Sequence, residues 1–205
     1  GRDAGEKVVS GQIIRGAVES IDAVIWYSDL KNFTGISDQA EAHQIIPFLN
    51  DYAGLVLDAI HRHGGSVLKL MGDGVLAIFK AADMADACDF AMNAGADMRR
   101  ELTVLNEKRG ANGEPTTGIY LGLHVGRVFY GNIGSRDRLD FTVVGPAVNE
   151  TSRIAALCRS IGHDILLSDD FADACVAYRR EKLMALGEFS LRGVEEPKRL
   201  FTVAK

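Results

Sequence analysis

Two aspartates stand where carboxylates could act together. Asp29 ends an apolar, aromatic and β-branched run, Ala23-Val24-Ile25-Trp26-Tyr27-Ser28, which reads as a buried strand. Asp73 lies in Gly72-Asp73-Gly74, between Ser66–Met71 and Val75–Phe79, a pattern that predicts a tight hairpin. Carboxylates brought to one sheet edge offer hard oxygen ligands to a divalent cation and leave room for phosphate oxygens. The plainer reading of Asp73 is that aspartate suits a turn.

Three further groups could join them. Asp29 continues into Leu30-Lys31-Asn32-Phe33-Thr34-Gly35, a strand-to-helix turn whose backbone N–H groups can cradle phosphates. Phe33, taken alone, reads rather as a core anchor. Lys69 interrupts the apolar Val67, Leu68, Leu70 and Met71, so its ammonium must reach an edge, find a partner or snorkel to solvent. Asn149 and Arg153 are four residues apart and share one face of a helix opening at Pro146. An amide beside a guanidinium suits an anionic, phosphorane-like transition state, although a plain helix surface carries the same residue types.

The elements that must position these groups follow from periodicity. After the first strand, Ile45, Leu49, Tyr52, Val56 and Ile60 recur at helical spacing from Ser37 or Asp38 to about His63. Ser37 is the expected cap, Pro47 an expected bend and Gly64-Gly65 the stop. After the hairpin, a second helix is expected from about Asp83 to Lys108, then a polar loop from Arg109 to Thr117. Strands follow at Ile119–Val125, Val128–Ile133 and Leu139–Val144, then a helix from Pro146 to about Ser160. Short strands and one short helix close the chain, ending in Leu200–Val203. This order predicts an α+β fold: a ferredoxin-like βαββαβ core with an added strand pair and a C-terminal α/β elaboration. Residues 1–22 read as an approach segment and 23–205 as one domain.

Bulk properties narrow the function. The 205 residues are 47% hydrophobic and 25% charged, enough to bury a substantial core. A net charge of −5 disfavours general binding to nucleic acid or anionic membrane. No run approaches the ~20 apolar residues of a membrane span, and no signal peptide precedes the first strand. Cys88, Cys158 and Cys175 lack ligand spacing, Cys88 and Cys158 read as buried thiols in helical patterns, and a reducing, cytoplasmic compartment is expected. The abrupt start at Gly1 fits a catalytic piece of a longer protein with regulatory domains outside it.

The segments Asp29-Leu-Lys-Asn-Phe-Thr34, Lys69-Leu-Met-Gly-Asp-Gly74 and Asp140-Phe-Thr-Val-Val-Gly-Pro-Ala-Val-Asn149-Glu-Thr-Ser-Arg153 resemble, in order and spacing, the motifs of class III nucleotidyl cyclases. Gly122–Gly131 resembles the family's glycine-rich strand pair, and Leu191-Arg-Gly193 with Pro197 and Phe201 its last strand. The resemblance implies an adenylate cyclase that makes 3′,5′-cyclic AMP and pyrophosphate from ATP. It assigns Asp29, Asp73 and the Leu30 carbonyl to two Mg²⁺ or Mn²⁺ ions per site, and Asn149 and Arg153 to the transition state. It assigns Lys69 and Thr142 to the base, and Asn32, Phe33, Thr34, Arg127 and Arg192 to phosphates. It further implies sites shared across a homodimer.

Thr142 matches a bacterial and soluble subgroup. Asn32 departs from the usual glycine and Pro146 from the usual aspartate; asparagine tolerates positive φ and proline suits a helix start. A guanylate or relaxed-specificity cyclase is the enzymatic alternative, and an inactive dimerisation module the alternative of another class.

Overall fold

The computed structural model describes residues 18–134 and 139–204, so residues 1–17 of the expected approach segment lie outside it. The apolar run around Trp26 becomes the centre of the molecule. Strand β1 (Val18–Leu30) buries Ala23, Val24, Ile25 and Trp26 completely. Alternation divides them between two faces: Val24 and Trp26 join one hydrophobic cluster, and Ala23 and Ile25 another. The strand starts before the apolar run because pairing with β4 (Ile119–Gly134) extends to Val18, although Glu19, Ser20 and Asp22 are exposed. On its other side β1 pairs with β3 (Gly74–Phe79), which forms a hairpin with β2 (Ser66–Met71).

Across the sheet the order is β2-β3-β1-β4, then β6 (Ile165–Ser168), β8 (Lys198–Val203) and β7 (Leu183–Phe189), with β5 (Leu139–Val144) pairing with β4. The first four strands form the expected ferredoxin-like core, and β5 to β8 are the additions.

The helix expected from Ser37 is two helices, α1 (Phe33–Gln39) and α2 (Ala42–Arg62). Glu41 caps α2 in a reciprocal capping box with Gln44, whereas the Ser37 hydroxyl donates to the Thr34 carbonyl at 2.9 Å inside α1. Pro47 lies within α2. Helix α3 (Met84–Ala111) is capped by Asp83, which accepts from the Ala85 N–H at 2.9 Å. It runs beyond Lys108 because Arg109 is buried there, donating to the Pro115 carbonyl at 2.9 Å and pairing with Asp51.

The two strands expected either side of Gly126 are one continuous strand, β4. Its glycines serve packing. A Cβ on Gly126 would stand 2.6 Å from the Ala147 Cβ, and one on Gly122 would stand 2.7 Å from the Thr151 carbonyl oxygen. Their bare backbone lets α4 (Pro146–Ile161) settle on the sheet. Helices α2 and α3 cover the opposite face. Short helices α5 (Asp169–Ala174) and α6 (Ala177–Arg180) follow β6. All three cysteines are buried and free, and among the described residues no helix is long and apolar enough to cross a membrane.

Candidate active site

Asp29 and Asp73 converge because their strands are neighbours. Ser28 faces Val75 in the β1–β3 register, so Asp29 emerges beside the β2–β3 turn, where Gly72 at φ 65° leads into Asp73. The two carboxyls share a hydrogen bond. Burial first, then that bond and the charge of Asp73, push the Asp29 carboxyl up to about 7, against an opposing bond from the Leu30 N–H. Burial and the same two aspartates also raise the Tyr27 phenol.

These groups line a recess of about 330 Å³ with Leu30, Asn32, Phe33, Thr34, Tyr120, Ser152, Ala155, Ala156 and Arg159. Asn32, at φ 53° and ψ 29°, is the one non-glycine with positive φ among the described residues, as its place in the turn requires. Phe33 fulfils both of its readings. It stacks on Phe48 with ring centroids 6.3 Å apart and also faces the recess.

The donor set fits a hard divalent cation. Two carboxylates pressed together take up a proton where a cation would neutralise them. No group of three or more His, Cys, Asp or Glu side chains forms a metal cluster among the described residues.

The other six sequence-predicted residues do not line this recess. Lys69 is exposed on the edge strand β2, just after a bulge at Leu68 that re-aims the strand. Thr142, opposite Gly131, lies on β5, which touches β2; next to it Val143 packs with Leu68, Leu76 and Ile78. Asn149 is exposed in the first turns of α4. Arg153, one turn later, lies against the β7–β8 connection, where an added Cβ on Gly193 would be 3.5 Å from its Nη2.

Arg192 is exposed on the same connection. Arg127 pairs with Asp22 at 3.1 Å, both exposed. In the β1–β4 register Asp22 and Asp29 are seven residues apart, which puts Arg127 roughly 23 Å along the strand from the carboxylate pair.

Sequence reading missed Tyr27, Tyr120, Ser152 and Arg159 as recess residues. Tyr27 shares a strand face with Asp29, so period-two spacing could have found it. Tyr120 is the register partner of Asp29, and Ser152 and Arg159 are two helical turns apart on α4. Only the packing of α4 on β4 brings them in.

Residues 17–204 match the family model for the adenylate and guanylate cyclase catalytic domain. An adenylate cyclase of Anabaena cylindrica is 34% identical over 158 residues, covering 75% of this chain and 31% of that protein. Adenylate cyclase 1 of Rhizobium meliloti is 27% identical over 151 residues, covering 73% and 23%. The chain thus spans about a third or less of these curated relatives. The crystal structure of the guanylyl cyclase Cya2 has a TM-score of 0.79 at 29% identity, covering 90% of this chain and 92% of that one. That of the adenylyl cyclase CyaB from P. aeruginosa has a TM-score of 0.82 at 24% identity, covering 92% and 96%, a likeness of fold. With nearly its whole length matched and its sheet shared with those structures, the chain belongs to the class III adenylate and guanylate cyclase catalytic domain family.

Proposed function

We propose that the chain is the catalytic domain of an adenylate cyclase, converting ATP to 3′,5′-cyclic AMP and pyrophosphate at sites shared between two copies. The observation that carries this reading is the division of the chemistry. Asp29 and Asp73 meet in one recess, while Lys69, Thr142, Asn149 and Arg153 lie outside it. A two-fold pair would bring the second set of one copy to the recess of the other. Leu70 (53% exposed), Met71, Phe129 and Val144 give apolar ground for such a contact on β2, β4 and β5.

Asp29, Asp73 and the Leu30 carbonyl would hold Mg²⁺ or Mn²⁺, whose positive charge would acidify the ribose 3′-hydroxyl and steady the triphosphate. The turn at Asn32, Phe33 and Thr34 borders the phosphates and Arg192 is an outer phosphate cation, whereas Arg127, paired with Asp22 far along the strand, lies too distant from the carboxylate pair of its own chain to share that role. Lys69 donates to adenine N1 and Thr142 accepts from the 6-amino group. The 3′-oxygen attacks the α-phosphorus in line, and pyrophosphate leaves from the opposite side. As charge grows on the phosphorus oxygens, Asn149 and Arg153 donate to them.

A relaxed or guanylate-directed cyclase is the second reading, and Thr142 is what favours it. A hydroxyl donates as readily as it accepts, so it discriminates less than a carboxylate would. Chromatographic identification of products from ATP and GTP, each with Mg²⁺ and Mn²⁺, decides between the two. Cyclic AMP as the main product is expected. A preference for GTP would overturn the base assignment, and no cyclic nucleotide from verified dimers would overturn the enzyme.

A further inference from the structure

We infer that the β7–β8 connection is a seat for the Arg153 guanidinium, held by an ion-pair cluster behind it, which makes Gly193, Glu150 and Lys198 positioning residues for the reaction. The inference rests on Arg153 acting as proposed above.

Gly193 adopts φ 71°, in the left-handed region that favours glycine, and stands beside the guanidinium: an ideal Cβ there would meet it at van der Waals contact, 3.5 Å from Nη2 and 3.9 Å from Cζ and Nη1. The connection is tied to α4 at both ends. Leu191 is buried with Ile154 and Cys158 of α4. Lys198 places its Nζ 3.6 Å from the Glu150 Oε2 and 3.2 Å from the Asp170 Oδ2.

Glu150 follows Asn149 and precedes Arg153 by three residues, so it shares their stretch of α4. The same Oε2 also lies 3.6 Å from the Nε2 of His124 on β4, a residue only 4% exposed. The His124 Nδ1 bonds the Ser168 hydroxyl at 2.8 Å, and that oxygen also accepts from the Phe171 N–H at 3.1 Å, capping α5. Ser168 is fully buried and spent on these bonds, so the Ser–His–Glu row is not a nucleophile but a brace. It anchors Glu150 of α4 to β4 and the start of α5, and Lys198 at the start of β8 ties that same carboxylate to the end of the loop that carries Gly193. An arginine offers its donors in a rigid fork, so the plane on which it rests decides where they point.

The test is a double-mutant cycle on the dimeric protein with ATP and saturating Mn²⁺, using K198M, E150Q and R153A. K198M and E150Q should each lower kcat, by up to about 100-fold for a misplacement near 1 Å. KM should stay within about twofold. In the R153A background either change should add less than about twofold, because the group being positioned is gone. A brace that only stabilises the fold would instead multiply its loss onto that of R153A. Wild-type kcat in both single variants, or fully multiplicative losses, would overturn the seat while leaving the role of Arg153 standing. R153A with normal activity would overturn that role, and the seat with it.

Discussion

The Asp29–Asp73 recess and the Asn149–Arg153 face of α4 are half-sites of opposite electrostatic character. In the recess, two like-charged groups are pressed together at the end of a buried strand, and the carboxyl of Asp29 responds by holding its proton to about pH 7. On α4, a neutral amide is exposed and a guanidinium lies beside Gly193 of the β7–β8 connection. The first arrangement is unfavourable until a cation enters, so it should couple activity to fold stability. The second has no like charge to relieve and should affect turnover alone. Proteins commonly hold such stored repulsion at reacting centres and offset it elsewhere in the fold.

The largest expected effect separates the halves by activity. Asp29→Ala and Asp73→Ala should bring cyclase activity to background, and Arg153→Ala should lower it by about 10²–10³-fold, the usual loss for one preorganised donor. Substantial Mg²⁺-dependent turnover in either aspartate variant would sink the assignment of that half. Mixing the halves comes next. Asp73→Ala and Arg153→Ala chains, each nearly inactive alone, should recover about a quarter of wild-type activity when co-expressed, since half of the dimers are mixed and each has one intact site. Verified mixed dimers without recovery would mean that each chain builds its own site.

A smaller effect concerns the base. Lys69→Glu with Thr142→Cys exchanges a donor for an acceptor and should lower the ATP-to-GTP ratio of initial rates by at least about tenfold. An unchanged ratio would place base reading elsewhere.

The smallest effect is on stability, and it sharpens the contrast best. Asp29 has a folded-state pKa of about 7 against an ordinary 3.8, so between those values the native state binds more protons than the unfolded chain. Metal-free stability should therefore fall as pH rises from about 4 to about 7 and then level off. Asp29→Asn should remove that slope. Because Asp29 is only half-buried, solvent screening discounts the effect, and the gain in Tm at pH 8 should be about 2–4 °C. Arg153→Ala should leave the slope intact. Scanning calorimetry at pH 4.5 and 8, with and without Mg²⁺, reads all of this. A wild-type Tm that rises between those pH values while Asp29→Asn shows the same slope would remove the stored repulsion.

What could be read from the sequence was local. The run through Trp26 announces a buried strand, Gly72-Asp73 a hairpin, and Pro146 a helix start, because each depends on side-chain period or backbone preference over a few residues. Even there, local rules competed. Ser37 was the expected cap, but the reciprocal bonds between Glu41 and Gln44 start the long helix at Ala42 instead. The roles of Asp29, Lys69 and Arg153 came from the resemblance, since a carboxylate in a turn or an arginine on a helix has an ordinary explanation too.

Tertiary structure decided the rest, for a physical reason that no local pattern carries. Gly126 looks like the end of a strand until Ala147 is seen to occupy the space its side chain would need. Arg109 looks like the start of a loop until its burial with Asp51 and Pro115 carries α3 onward. Tyr120 and Arg159 look unrelated to Asp29 until β4 pairs with β1 and α4 settles on Gly122. Short-range preferences therefore set which elements form and where their chemistry-bearing residues sit. Which residues meet was set by excluded volume and strand register between segments distant in the chain.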